Sequence, residues 1–343
     1  MTLRHLLRPA VFLILGAIFG TIAGVGLAVG PAAAQTVKTP LKVALPEGPD
    51  TRYAGFLIAQ QRGYFTEAGL DVTFDRQGYG HSPIDPLTES QADLAVEVMP
   101  IALAKRERGA DVVHVAQIFQ RATLGLYCRS AIDQPAKLAG HNVGVWLDGW
   151  ESPFYAWLGR LGLSYFATGG GVTIVRQGTD AEIFDENEVD CLTSTTYRLP
   201  FALGPDAVKQ KSLISYRYQD LDLGVLEDGL YARAADMKDP ARVETFKRFL
   251  SAAARGWQNL HDDPSDAEQL IMALPDSAKL DKKAVAESLA AVAEAVGAGN
   301  VDLGALDDAA YDRTVLLLLT GAPDPALAAA PSGAVSPALR QLP

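Results

Sequence analysis

The chain has 343 residues, with 30 lysine and arginine side chains against 41 aspartate and glutamate, a formal net charge of −11. That length suggests two domains, or one domain with a large insertion. A composition of 48% hydrophobic and 21% charged residues belongs to a well-cored globular body and not to a disordered or fibrous one. The acidic balance excludes a nucleic-acid binder, which must neutralise phosphates, and two cysteines are too few for a zinc ribbon, an iron–sulfur site or a disulfide framework.

Residues 1–34 read as a cleaved export signal. Arg4 and Arg8 form a positive start, an apolar stretch runs from Ala10 to Gly30, and Pro31 followed by Ala32-Ala33-Ala34 offers a small-residue cleavage site before Gln35. A stretch of that length could also anchor the chain in a bilayer, but the glycines at 16, 20, 24 and 26 and the Ala-x-Ala site favour cleavage. No cysteine follows the apolar run, which excludes a lipoprotein anchor, and the two arginines are not adjacent, which favours the general secretory route over the twin-arginine route. The expected location is periplasmic.

Beyond the leader, Leu41 to Leu45 reads as a buried strand ended by Pro46-Glu47-Gly48-Pro49. Apolar residues at helical spacing predict one helix from Tyr53 to Ala68, closed by Gly69. Strands follow at Asp71 to Phe74, Asp93 to Val98 and Asp111 to Ala116, separated by a Gly/Pro/His loop (Gly78 to Pro86) with a short helix and by a helix ending at Gly109. This alternation is the pattern of a parallel sheet covered on both faces. It restarts with a strand at Asn142 to Trp146, a helix at Pro153 to Leu163, a strand at Val172 to Val175, a helix at Ala181 to Glu188 and a strand at Val189 to Thr193. From Pro240 to Val296 the chain turns helical and alanine-rich, with Phe246 and Trp257 as core anchors and Gly297 as a stop.

Two strings echo one another: Gly125-Leu126-Tyr127-Cys128-Arg129 and Gly229-Leu230-Tyr231-Ala232-Arg233. If they are strands leaving and re-entering the first lobe, they form a two-strand hinge. Lobe one then comprises 40–128 and 229–335, and lobe two 129–228. The fold class expected is α/β: two lobes, a two-strand hinge and a C-terminal helical return. Cys128 and Cys191 would lie far apart in such a layout, as two buried thiols.

The string from Leu57 to Val72, LIAQQRGYFTEAGLDV, resembles the signature of exported ABC-transporter solute-binding proteins. The branch is the one that groups sulfonate, nitrate and thiamine-pyrimidine-precursor binders with the thiamine-pyrimidine synthase. Gln91 to Ala95, Arg108 to Val113, Leu138 to Gly144 and Val189 to Cys191 match in the same order, so the resemblance covers about residues 41–320. It implies a type II periplasmic binding protein, two lobes closing on a small-molecule ligand, with an ABC permease at the inner membrane as partner. The protein is expected to be a monomer, with no cofactor, no metal and no nucleic-acid partner.

Ligands of α/β sheets bind at the carboxyl ends of strands, and pockets favour domain interfaces. The candidate site residues are therefore Glu47, Tyr53, Glu97, Met99 and Gln117 in lobe one, Trp146, Asp148, Trp150, Glu151 and Tyr197 in lobe two, and Asp228 at the return hinge. The run Trp146-Leu147-Asp148-Gly149-Trp150-Glu151 stands where anion-binding relatives offer bare glycine amides. Its rings and carboxylates suit a flat ring with N–H donors, or a cation over a ring face. His81 has no second histidine or cysteine near it in sequence and reads as a solvated loop residue.

The resemblance to the synthase would imply a lysine and a histidine flanking Met99. Here Glu97 and Ile101 stand in those places, and the cysteine-rich cluster expected near Leu226 to Tyr231 is missing, which counts against that enzyme. The family's stacking tryptophan near the first strand appears as Glu47, and a neighbouring histidine as Tyr53. The function expected is capture of a nitrogen heterocycle such as a pyrimidine precursor. The alternatives are a sulfonate, taurine or nitrate binder of the same class, and a periplasmic sensor without a transporter.

Overall fold

The computed structural model describes residues 37–165, 170–275, 277–297 and 302–339; the proposed export segment lies outside them. The chain opens with β1 (Thr39–Leu45) and a single 3-10 turn at Asp50–Tyr53. The one helix expected from Tyr53 to Ala68 is two: α1 (Ala54–Gln61) and α2 (Tyr64–Glu67), separated at Gly63, whose φ of 75° turns the chain through the left-handed region. Then come β2 (Leu70–Arg76), α3 (Ile84–Thr88), β3 (Leu94–Val98), α4 (Met99–Glu107) and β4 (Val112–Gln117). Pro100 sits in the first turn of α4, where its missing N–H costs nothing.

A second series comes next: β5 (Leu124–Cys128), β6 (Asn142–Val145), α5 (Ser152–Leu161), β7 (Thr173–Arg176), α6 (Glu182–Asp185) and β8 (Cys191–Thr195). After it come α7 (Leu199–Leu203), α8 (Ala207–Gln210), β9 (Ile214–Arg217) and β10 (Asp228–Arg233). The helical return is α9 (Pro240–Asp262), α10 (Pro264–Met272), α11 (Lys282–Val296) and α12 (Asp308–Thr320). β9 and α12 had no counterpart among the elements expected from sequence.

The sheets have the strand orders β2-β1-β3-β10-β4 and β7-β6-β8-β5-β9. These are the same order twice. In each sheet a parallel trio is followed by one antiparallel strand, β10 in the first and β5 in the second. The echoed strings are these two antiparallel strands. Their closing arginines act alike: Arg233 donates to the carbonyl of Leu87 in α3, and Arg129 to that of Phe184 in α6, the matching short helix of the other lobe. The echo therefore marks the strand that the chain lays down on first arriving from the other lobe.

This corrects the placing of residues 124–128 in lobe one, because β5 pairs only within the second sheet. The chain crosses between sheets at 118–123 and returns at 218–227. Residues 229–335 are not confined to lobe one either, since α12 packs on both α4 and α5. The cysteine expectation also falls. β5 lies beside β8 with Cys128 directly opposite Cys191, their Cα atoms are 4.0 Å apart, and the two form a disulfide, as an oxidising compartment permits.

The first lobe's core is aromatic: Phe65 stacks on Phe249 at 5.2 Å, and Phe56 meets the edge of Trp257 at 5.5 Å. Phe246 and Trp257 are fully buried, as expected of anchors. α1 and α9 approach until backbone meets backbone: a Cβ on Gly256 would lie 2.0 Å from the Gly55 carbonyl oxygen. Gly256→Ala must push the helices apart and is expected to cost about 1–3 kcal/mol, read as a lowered urea midpoint. An unshifted midpoint would refute the close contact.

Candidate functional site

Between the two sheets lies a cavity of about 820 Å³. Its walls come from segments at and just beyond the carboxyl ends of the parallel strands: Glu47 and Arg52 after β1, the 78–82 loop after β2, Glu97 at the end of β3, the 146–152 loop after β6, Thr179 after β7, and Tyr197 and Arg198 after β8. Ile101 and Lys105 on α4, Arg108 just past its end and the turn after α12 complete it.

At its base sits a buried ion pair. Arg52 donates through Nε to Asp228 Oδ2 at 2.7 Å and through Nη2 to Oδ1, and through Nη1 to the Glu47 carbonyl at 2.9 Å. The two side chains are 4% and 2% exposed. Burial alone would lower the guanidinium, but the Asp228 carboxylate, with Tyr197 and Tyr53 beside it, holds Arg52 well above its ordinary value. The Tyr53 and Tyr197 rings each lie 5.8 Å from the guanidinium carbon. Burial raises both hydroxyls, Tyr197 up to about 12, so they remain neutral.

Glu97 is a different case. It is 3% exposed and bonded by Ser82 Oγ at 2.7 Å and by the Val98 amide at 3.0 Å, both neutral donors. Burial pushes its carboxyl up to about 7, against the downward pull of those bonds and of Arg52. A second buried acid, Glu227, joins the two crossings: it accepts from the Thr123 and Leu124 amides and from Thr123 Oγ1. Burial raises it to about 7 as well.

The opposite wall is aromatic. Trp146 donates its indole N–H to the Gly178 carbonyl at 2.7 Å and meets Trp150 edge to face at 5.7 Å. Gly149 has φ 99°, and a Cβ there would lie 2.6 Å from Ile101 Cγ1, so the loop touches α4 of the other lobe. Arg198 reaches across to Glu47 at 2.7 Å, with its guanidinium carbon 6.0 Å from the Trp146 ring.

Of the residues singled out by sequence, Glu47, Glu97, Trp146, Asp148, Trp150, Glu151 and Tyr197 line the cavity. Four do not. Tyr53 turns inward, its hydroxyl donating to the Pro46 carbonyl, and Met99 packs in a core with Leu103, Leu226 and Leu318. The Gln117 amide is committed to the Phe119, Glu227 and Asp228 carbonyls, and Asp228 lies beneath Arg52. Two acids on the rim are also engaged: Asp148 with Arg176 at 2.8 Å, and Glu151 with the Gly149 amide at 2.9 Å. His81 is exposed, as expected, but on the cavity wall.

Sequence reasoning missed Arg52, Arg198 and Ser82. Each lies just beyond the carboxyl end of a strand, where ligands of α/β sheets bind, so position signalled them. Their partners, up to 176 residues away, did not.

Twin α/β lobes of one strand order, with a cavity between their strand ends, make this a type II periplasmic binding protein fold. The chain belongs to the NMT1/THI5-like family, whose model matches residues 50–267. No curated protein matches the sequence. Among solved structures, the chain is similar to the periplasmic aliphatic sulphonate binding protein SsuA from Escherichia coli, at 15% identity and a TM-score of 0.59 over 74% of this chain and 78% of that one. It is also similar to a zinc-bound ligand-binding component of an ABC-type import system from Staphylococcus aureus, at 10% identity and a TM-score of 0.61 over 82% and 91%. A third is the desulfurization enzyme DSZB, at 16% and 0.54 over 83% and 92%. At such identities the likeness speaks for the fold alone. Among the described residues, no group of three His, Cys, Asp or Glu side chains is placed to hold a metal ion.

Proposed function

We propose that the protein is an exported, monomeric solute-binding protein that captures a small nitrogen-bearing ring, such as a pyrimidine precursor, between its lobes. It then delivers the ring to an ABC permease at the inner membrane. Residues 1–34 would be its export signal, and the periplasm its location. One observation carries the reading: the cavity offers ring faces and a buried carboxyl, while its buried and half-buried cationic side chains are already engaged by acids. Arg52 is held by Asp228, Arg198 by Glu47 and Lys105 by Asp85; Arg108 is exposed. Among the described residues, a sulfonate or nitrate would find no buried cation on the cavity wall free to receive it.

A catalytic role is disfavoured by the same wall. Glu97 and Ile101 both line the cavity, where the synthase chemistry would need an amine and an imidazole. Calorimetric titration with pyrimidines, flavin-like rings, taurine, nitrate and sulfate tests the reading. A ring is expected to bind and the oxyanions not, and Trp150→Ala is expected to weaken the ring by about tenfold through lost stacking and burial. Tight oxyanion binding, or an unchanged affinity in Trp150→Ala, would refute it.

A further inference from the structure

We propose that the cleft reads its ligand as a cation: a positively charged nitrogen held by the ionised Glu97 carboxylate between aromatic walls, so that capture is strong at neutral and alkaline pH and fails in acid. This rests on the binding reading above and sharpens it, because the cavity's ring faces would also suit a neutral ring.

The argument starts from pairing. Each buried or half-buried cation on the cavity wall has its own acid: Arg52 has Asp228, Arg198 has Glu47 and Lys105 has Asp85. Among the described residues, Glu97 has no such ion-pair partner. Ser82 Oγ and the Val98 amide are neutral donors, and the nearby guanidinium of Arg52 is held by Asp228 through two of its nitrogens. A carboxylate 3% exposed and without a counter-charge is costly to ionise. Protonation avoids that cost, and burial raises the carboxyl to about 7. A ligand cation would supply the missing charge and displace the proton.

The walls fit the same ligand. Trp146 and Tyr197 already have guanidinium groups about 6 Å from their rings, the distance at which ring faces attract cations. Trp150, Tyr155 and Tyr79 line the cavity as further rings.

The groups acting on Glu97 are Arg52 from the 3-10 turn, Asp228 and Tyr231 from β10, and Ser82 from the loop after β2; His81 from that loop and Lys105 from α4 line the same cavity. Arg52 keeps its charge throughout, and burial keeps Tyr231 neutral. Glu227, which joins the crossings, also titrates near 7 and needs its own control.

The test is titration calorimetry on protein recovered from cells expressing the full chain, with benzamidinium as a flat cation and benzamide as its neutral twin. Benzamidinium is expected to bind at least about tenfold more tightly than benzamide at alkaline pH. Its affinity should be level above about pH 8 and fall about tenfold per pH unit between about pH 6 and about pH 5. Glu97→Gln should abolish both the preference and the slope, whereas Glu227→Gln and His81→Gln should retain the slope. The profile of the unaltered protein stands even if a variant fails to fold. Equal binding of benzamide or aminopyrimidine with a level profile would leave the ring-binding reading intact and overturn the cation. Ethanesulfonate or nitrate binding more tightly than any ring would overturn both. Affinity rising in acid, or no benzamidinium binding up to about 1 mM, would also overturn the cation.

Discussion

Arg52→Met is expected to destabilise the protein by about 3–5 kcal/mol, because it leaves the Asp228 carboxylate buried with no counter-charge. Asp228 is 2% exposed, and its side-chain bonds come from the Arg52 guanidinium. The pair as such need not stabilise, since removing both charges from water offsets much of their attraction. Arg52→Met combined with Asp228→Leu is therefore expected to recover most of the loss. Arg62→Met is the control. Arg62 also pairs with an aspartate, Asp266, but is 49% exposed, so solvent screens the pair and its loss should cost far less than that of Arg52. Urea unfolding of the four proteins decides the matter. Equal costs for Arg52→Met and Arg62→Met would mean that the cavity floor is better hydrated than its burial implies.

The unliganded protein is expected to lose stability as pH rises from about 5 to about 7.5, the reverse of ordinary acid denaturation. Glu97 and Glu227 are both raised by burial from 4.5 to about 7. Between those values the folded chain holds protons that the unfolded chain has released, so stability is full below about 4.5 and declines as pH rises through about 7. Each displacement corresponds to about 3 kcal/mol. Asp133, Asp206 and Asp263 are shifted downward, so their effects fall at lower pH, outside this window. Glu227→Gln keeps an oxygen for the Thr123 and Leu124 amides and removes the charge, so it should stabilise the protein at about pH 8 and little at about pH 5. Denaturant midpoints across this range measure it. A level profile in the unaltered protein would show that neither carboxyl is held in its neutral form.

These two effects are linked through the cleft. Ionising Glu97 weakens the empty protein, and a cationic ligand would remove that penalty. Ligand-induced stabilisation should therefore be larger at about pH 8 than at about pH 5.

The local alternation of strands and helices was legible in the sequence, because side-chain periodicity and turn residues act over a few positions. The sequence also carried the two echoed strings, the aromatic and acidic run from Trp146 to Glu151, and the strand ends at which a ligand would lie. It misplaced what depends on pairing across long separations. β5 looked like the last strand of lobe one, yet its hydrogen bonds go to β8 and β9, and that choice brought Cys128 opposite Cys191, 63 residues away. One continuous helix was expected where the backbone turns at Gly63. Most consequential is the fate of the acids. Asp148, Glu151, Asp228 and Glu97 are equal in sequence as acceptors, and only the tertiary structure gave Arg176 to the first, a backbone amide to the second and Arg52 to the third. Glu97 was left buried with no ion pair among the described residues, because the cost of burying a carboxylate depends on which distant groups fold against it, and no local pattern records that.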